Sequence, residues 1–543
     1  MVLCDNLASS GSRLHRNKFS SDPMSDSCNL VQPIELDCSV MKREVVISNQ
    51  GMSASDVLEI ARHNAVVKLS DTALSAMAAS RAHIDALVAS SQPVYGVSTG
   101  FGALANRYVS VEQRAQLQRS LIRSHAAGVG APVEREVVRA LMALRLKTLA
   151  SGRTGVRPVV ATTMAALLNA GITPLVREFG SLGCSGDLAP LSHCALVLMG
   201  EGEAVDSSGV QRPVPELLAE AGIAPIELQE KEGLALINGT DGMLGMLLMA
   251  IADANQICDS IDIIAAMSVE AQLGTAAVFA PELHEQLRPH PGQAISAARM
   301  LAALQNSPIV ASHVEDDDRV QDAYSLRCAP QVTGAVRDTI SWAATVAERE
   351  LAATIDNPVV LPDGRVSSNG NFHGAPVAYV LDFLAIALAD LGSMSERRTD
   401  RMLDRARSAG LPPFLADDPG VDSGLMIAQY TQAALVSENK RLAVPASADS
   451  IPSSAMQEDH VSMGWSAARK LRQSITNTQR IAAIELLTAA RALDLRAPLQ
   501  PGPITKAVRD RLRATVAGPG PDRYLSPELE AAVVFVQNGG VLA

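Results

Sequence analysis

Beyond residue 240 the chain sets apolar residues three and four positions apart over five long stretches: 242–273, 331–355, 376–409, 424–442 and 463–495. That spacing follows one face of a 3.6-residue turn, so each stretch is expected to be a long helix. The third is the most demanding. Val377, Val380, Leu381, Phe383, Leu384, Ile386, Ala387 and Leu388 surround most of its circumference, and Gly410 stops it. A helix apolar on nearly all sides has to be buried, in a bundle or against another subunit. Composition agrees: 47% of the 543 residues are hydrophobic but only 3% aromatic, so the apolar mass is mostly Ala, Leu, Val, Ile and Met.

The rest of the chain is organised differently. Residues 1–40 show no sustained period and are expected to lie outside the fold, with Met24 and Met41 as alternative starts. From Val45 a β-branched run precedes Ser53-Ala54-Ser55-Asp56, which offers helix caps. Residues 41–240 then alternate turn-prone and helical segments and are expected to form an N-terminal domain, with 241–543 as the helical bundle and C-terminal helices. At ~150 residues per domain the length suggests three to four domain-sized volumes, which helical enzymes often pool into one core.

Acidic residues number 58 against 46 Lys plus Arg, a formal charge of -12 with no dense basic tract, so nucleic acid and anionic membrane are poor partners. The seven cysteines are odd in number, scattered and free of any C-x-x-C pair. That argues against a disulfide framework or zinc ribbon and fits a reducing compartment. There is no basic-then-apolar leader and no run of ~18 uncharged apolar residues. The expectation is a soluble, cytoplasmic, mainly helical protein that holds no metal.

The most unusual segment is Gly180-Ser-Leu-Gly-Cys-Ser-Gly-Asp-Leu-Ala-Pro-Leu191. It is not a nucleophile elbow, because Gly186 follows Ser185 directly, and it is not a phosphate cradle, because no G-K-[ST] follows. One reading is a tight turn capping the helix that starts near Leu188. The other is chemical: in a tight bend the Gly186 nitrogen can attack the carbonyl of Cys184 and close a five-membered ring. Loss of water from the ring and from the Ser185 side chain then leaves an exocyclic methylidene, a strong electrophile made without an added cofactor.

A G-x-S-x-G does occur at Gly96–Gly100, but it continues as loop, against a hydrolase elbow. Tyr95, just before it, is either a packing residue or a phenol poised as a base, which would need its pKa of ~10 tuned downward. Three further patches stand out: 123–128 with His125, 321–328 with Gln321, Tyr324 and Arg327, and 457–463 with Glu458. His125 suits a structural role or a ligand contact. Arg327 suits a buried ion pair or a substrate carboxylate. Glu458 suits a helix cap or a ligand N–H.

Together these segments resemble the aromatic amino-acid ammonia-lyase family, also called the phenylalanine lyase and histidase family, and most closely its histidine-acting branch of actinobacterial type. The resemblance runs from about Met41 to the C-terminus. It includes Tyr95-Gly-Val-Ser-Thr-Gly-Phe-Gly102, Cys184-Ser-Gly186, Leu236-Ile-Asn-Gly-Thr240, Arg288-Pro-His-Pro-Gly292, residues 321–328, Gly370-Asn-Phe-His373 and Gln457-Glu-Asp-His-Val-Ser-Met463. It implies a mainly α, histidase/fumarase-like long-helix bundle, with a smaller mixed N-terminal part carrying the prosthetic-group loop. It also implies a homotetramer whose active sites draw on three subunits, and an autocatalytic 4-methylideneimidazole-5-one (MIO) group from Cys184, Ser185 and Gly186, with no external cofactor. The family's usual triplet begins with Ala; here the thiol of Cys184 is expected to be a bystander.

Carried over by position, Tyr95 is implied as the base for the β-proton. Asn238 and Tyr324 would polarise the electrophile and the leaving amine, Arg327 would bind the α-carboxylate, and Gln321 and Phe372 would line the substrate. His125 and Glu458 stand where histidine-acting members carry Ser-His and Gln-Glu patterns, whereas phenylalanine and tyrosine enzymes carry Asn-Gln-Asp at the second place. The implied reaction is L-histidine to trans-urocanate and ammonia. The alternatives are a tyrosine or phenylalanine ammonia-lyase or aminomutase of the same family and, from another class, a non-catalytic helical scaffold.

Overall fold

All five periodic stretches are helices in the computed structural model, which describes residues 43–89, 99–100, 108–315, 317 and 319–543. They are α1 (Asp241–Ala271), α2 (Ala329–Ala352), α3 (Ala375–Leu403), α4 (Met426–Leu442) and α5 (Gly464–Asp494). Helices α2 and α3 open with Pro330 and Pro376 in the first turn, where a missing N–H costs nothing. Helix α3 ends six residues earlier than its apolar period suggests. The Asp404 side chain takes the Ala406 N–H at 2.7 Å and the Arg407 guanidinium at 2.6 Å, a local turn that competes with helical hydrogen bonding.

Helix α5 packs against α1, α3, α4 and the C-terminal helix Ser526–Gln537. Leu247, Ile261, Leu381, Leu384, Leu388, Leu471, Ile481 and Leu486 are fully buried between them. Within one chain the bundle covers only the inner face of α3. On the outer face Tyr379, Phe383 and Ile386 are about half exposed, beside the equally exposed Trp342 of α2. Two helical segments, Glu232–Ala271 and Ala375–Leu403, are long and apolar enough by composition to cross a bilayer, but both are mostly enclosed by other helices.

Ionic groups also run through this core. Arg398 of α3 and Glu485 of α5 are both fully buried and joined by two hydrogen bonds, with Ser268 and Ser395 satisfying the same carboxylate. Lys231 and Asp356 form a second fully buried pair at 2.5 Å.

Before α1 the chain is mixed. Ser53 caps the helix Ala54–Arg62 in a reciprocal box with Asp56, as the sequence indicates. A short parallel pair joins Glu44–Ile47 to Val66–Leu69. Strand Arg177–Phe179 pairs with Val129–Pro132 and leads through residues 180–187 into the helix Leu188–Leu198. One hydrophobic core extends from Val45 through the helix Arg135–Ala150 to α1 and α5.

Candidate active site

Residues 183–187 form a continuous bend between that strand and helix. Gly186 has φ +78, and a Cβ there would collide with the backbone of Gly239, so only glycine lets the triplet approach Gly239 this closely. The Asp187 N–H donates to the Gly239 carbonyl at 2.7 Å. The Asp187 carboxylate accepts the Gly242 and Met243 N–H groups, each at 2.9 Å, at the N-terminus of α1, and the Ser181 hydroxyl at 2.8 Å. Burial pushes this carboxyl up to about 7.

Arg145 backs the arrangement from the core. Its fully buried guanidinium donates to Asp241 at 2.5 and 3.0 Å and to the carbonyls of Ala235, Asn238 and Ile355. On the other side of the bend the Gly183 carbonyl accepts the Ser462 hydroxyl at 2.8 Å and the Gly374 N–H at 3.1 Å. The Leu182 carbonyl accepts the Met463 N–H at 2.9 Å. Three distant segments therefore hold the triplet.

Its side chains face one carboxylate. Ser185 Oγ donates to Glu458 Oε1 at 2.7 Å, while Cys184 Sγ at 3.1 Å and Ser453 Oγ at 3.0 Å donate to Oε2. Burial, reinforced by the charge of Glu458, pushes the Cys184 thiol up to about 12, so it stays protonated and can donate. His125 ends the helix Arg114–His125, its Nδ1 3.0 Å from Ser124 Oγ. Burial lowers its pKa and keeps the ring neutral near pH 7, although the field of Glu458 pulls the other way.

A cavity of about 390 Å³ opens over this cluster, lined by Cys184, Ser185, Phe372, His373, Glu458 and His460, with Asn357 and Asn369 on one wall. His373 Nε2 and His460 Nδ1 approach to 3.2 Å with the rings stacked. The cavity is large enough for an amino acid and offers a carboxylate acceptor. A second cleft of about 320 Å³ contains Arg469, Lys470 and Arg472, but each already pairs with a carboxylate: Glu178, Asp382, and Glu136 with Asp253. All three of these cations are therefore already paired.

The structure thus brings together Cys184, Ser185, Gly186, Phe372 and Glu458, with His125 in electrostatic reach. Asn238 stands immediately before Gly239, and its buried side-chain Oδ1 accepts no hydrogen bond. Tyr95 lies outside the described residues. Gln321, Tyr324 and Arg327 are not among the residues lining the cavity. Tyr324 is 69% exposed, the Arg327 guanidinium lies 4.7 Å over its ring, and the buried Arg327 Nε has no partner. Sequence reasoning missed Arg145 and Ser453, which no local pattern marks, and gave no role to Ser462, which lies within the 457–463 motif. It also missed Asp187, which follows the triplet directly and was open to notice.

The aromatic amino acid lyase family model matches residues 52–514. The chain is 69% identical over 499 residues to the histidine ammonia-lyase of Streptomyces avermitilis, covering 92% of this chain and 97% of that relative. Among solved structures it is similar to a tyrosine aminomutase from Streptomyces globisporus, with TM-score 0.87, 38% identity and 92% and 98% of the two chains covered. It is similar also to histidine ammonia-lyase from Trypanosoma cruzi, with TM-score 0.84, 39% identity and 92% and 94% covered. Match, coverage and fold agree: the chain is an enzyme of the aromatic amino acid lyase family.

Proposed function

We propose that this enzyme is a cytoplasmic histidine ammonia-lyase, converting L-histidine to trans-urocanate and ammonia. The observation that carries the reading is the Glu458 carboxylate, hydrogen-bonded to Cys184 and Ser185 in the wall of an amino-acid-sized cavity. An imidazole N–H satisfies such an acceptor, and His125, which is outside the cavity lining but within the field of Glu458, is taken as a second polar partner. A phenyl ring would leave the carboxylate unpaired, at a cost of several kcal/mol.

The residues present fit an MIO group. Gly186 packs tightly against the Gly239 backbone, and the buried Asn238 Oδ1, one residue before Gly239, is unpartnered. Once formed from the triplet, the group supplies an electrophile that makes the α-amine a competent leaving group. The remaining work falls to side chains. Tyr95 takes the β-proton, a very weak acid that needs an aligned base. Arg327 grips the α-carboxylate with its planar fork, and Tyr324 polarises the departing amine. Because Gln321, Tyr324 and Arg327 do not line this chain's cavity, the reading takes them from another subunit of a homotetramer. The bare aromatic face of α2 and α3 supports such an assembly.

Incubation with L-histidine, L-tyrosine and L-phenylalanine separately, each followed by the ultraviolet absorbance of its unsaturated acid, tests the proposal. Urocanate is the expected product. Coumarate or cinnamate without urocanate, or β-amino acids, would favour the reading suggested by likeness to the aminomutase. An intact mass without the loss of two waters at the triplet would leave a helical scaffold.

A further inference from the structure

Glu458 has three hydrogen-bond donors, two of them from the triplet. They differ in fate. Cyclisation of the triplet expels the Ser185 oxygen as water, so Oε1 loses its 2.7 Å partner and faces the cavity with an open lone pair. The donors to Oε2 survive, because the side chains of Cys184 and Ser453 keep all their atoms. Oε1 therefore becomes the acceptor for a substrate N–H, and the groups on Oε2 fix where Oε1 points.

We infer that Cys184 is a positioning residue for substrate recognition: its S–H, donated to Glu458 Oε2, sets the rotation of the carboxylate and so aims Oε1 at the imidazole. This rests on the reading of Glu458 as the group that holds the substrate ring. It reverses the expectation that the thiol is a bystander. Cys184 is 6% exposed, so no water competes freely for the thiol. The family's usual alanine at this place has no donor, and here it would leave Oε2 to Ser453 alone. Serine has a shorter bond to its donor oxygen but can donate in the same direction.

The test uses the full chain as wild type, Cys184→Ala and Cys184→Ser. Intact mass should show the loss of two waters in all three. Cys184→Ala should raise KM for L-histidine about 5-fold with kcat changed less than about 2-fold, the size expected for a weak donor to a charged acceptor. Cys184→Ser should return KM to near the wild-type value. A second pair removes cyclisation and turnover altogether. In Ser185→Ala the hydroxyl on Oε1 is gone, and adding Cys184→Ala should weaken L-histidine binding, read by calorimetry, by a similar factor. That pair decides the matter if Cys184→Ala alone fails to cyclise.

An unchanged KM in Cys184→Ala, or equal binding by the two Ser185→Ala proteins, overturns the inference. So does a Cys184→Ser protein as impaired as Cys184→Ala. Failure of the underlying reading looks different: wild-type protein that loses its waters yet neither binds nor turns over L-histidine overturns both.

Discussion

Replacing Lys231 by Met should destabilise the enzyme through a charge left behind in the core. Lys231 and Asp356 are both 0% exposed and 2.5 Å apart. Asp356 also accepts the Asn357 N–H at 2.9 Å, and its carbonyl accepts Asn369 Nδ2 at 2.9 Å, so the pair anchors the asparagine wall of the cavity. Removing one partner of a buried pair costs about 3–5 kcal/mol. With an unfolding entropy of roughly 2 cal/mol/K per residue over ~500 residues, that is a fall in Tm of about 3–5 °C. Met keeps the length of the side chain, so lost packing contributes little. Adding Asp356→Asn removes the stranded charge and should recover most of the loss. The pH dependence has a definite sign. Burial raises the Asp356 pKa and Lys231 is the main group opposing it. In Lys231→Met the folded pKa therefore lies further above the unfolded one, and the penalty is present at high pH and vanishes as the carboxylate protonates. Scanning calorimetry at fixed protein concentration should show the gap to wild type narrowing from about pH 8 to about pH 5.5, by at most about 1.4 kcal/mol per pH unit. A Lys231→Met protein within about 1 °C of wild type, or a double variant no more stable than the single one, would refute the reasoning.

Three further outcomes are expected. Glu458→Gln should lower kcat/KM for L-histidine about 10- to 100-fold, the worth of a charge-assisted hydrogen bond, while leaving the dehydrated mass unchanged; undiminished kcat/KM would remove Glu458 from recognition. Gly186→Ala should retain both waters in its intact mass and lack activity, because its Cβ meets the Gly239 backbone at a positive φ; a dehydrated Gly186→Ala protein contradicts the geometry. Coexpressing Tyr324→Phe with Glu458→Gln should give turnover above that of either variant alone if each site takes these residues from different chains, whereas hybrids no more active than the separate variants argue for sites within one chain.

The long helices were legible because their burial left a period in the sequence. Val377, Leu381, Leu384 and Leu388, spaced three and four apart, mark the buried inner face of α3. The end of α3 was not, since a single Asp404 side chain outweighs the pattern. The triplet was legible because its chemistry is contiguous. Its supports were not: Arg145 reaches Asp241 and Asn238 across more than ninety residues. Ser453 meets Glu458 through Ser454, Ala455 and Met456, whose φ values of 52, 52 and 69 come without a glycine to announce a left-handed turn. The patch of Gln321, Tyr324 and Arg327 is conspicuous in sequence, yet it does not line this chain's cavity, because spacing along a chain does not say which segments meet in space.

The double grip on the Gly183 carbonyl has a consequence for timing. One donor is the Gly374 N–H and the other is Ser462, nearly three hundred residues downstream, while Met463 holds Leu182. A nascent chain exposes the triplet long before either arrives, and until then nothing fixes the bend from that side. The bend that the proposed cyclisation needs is therefore complete only once residues 374 and 462–463 have folded against it.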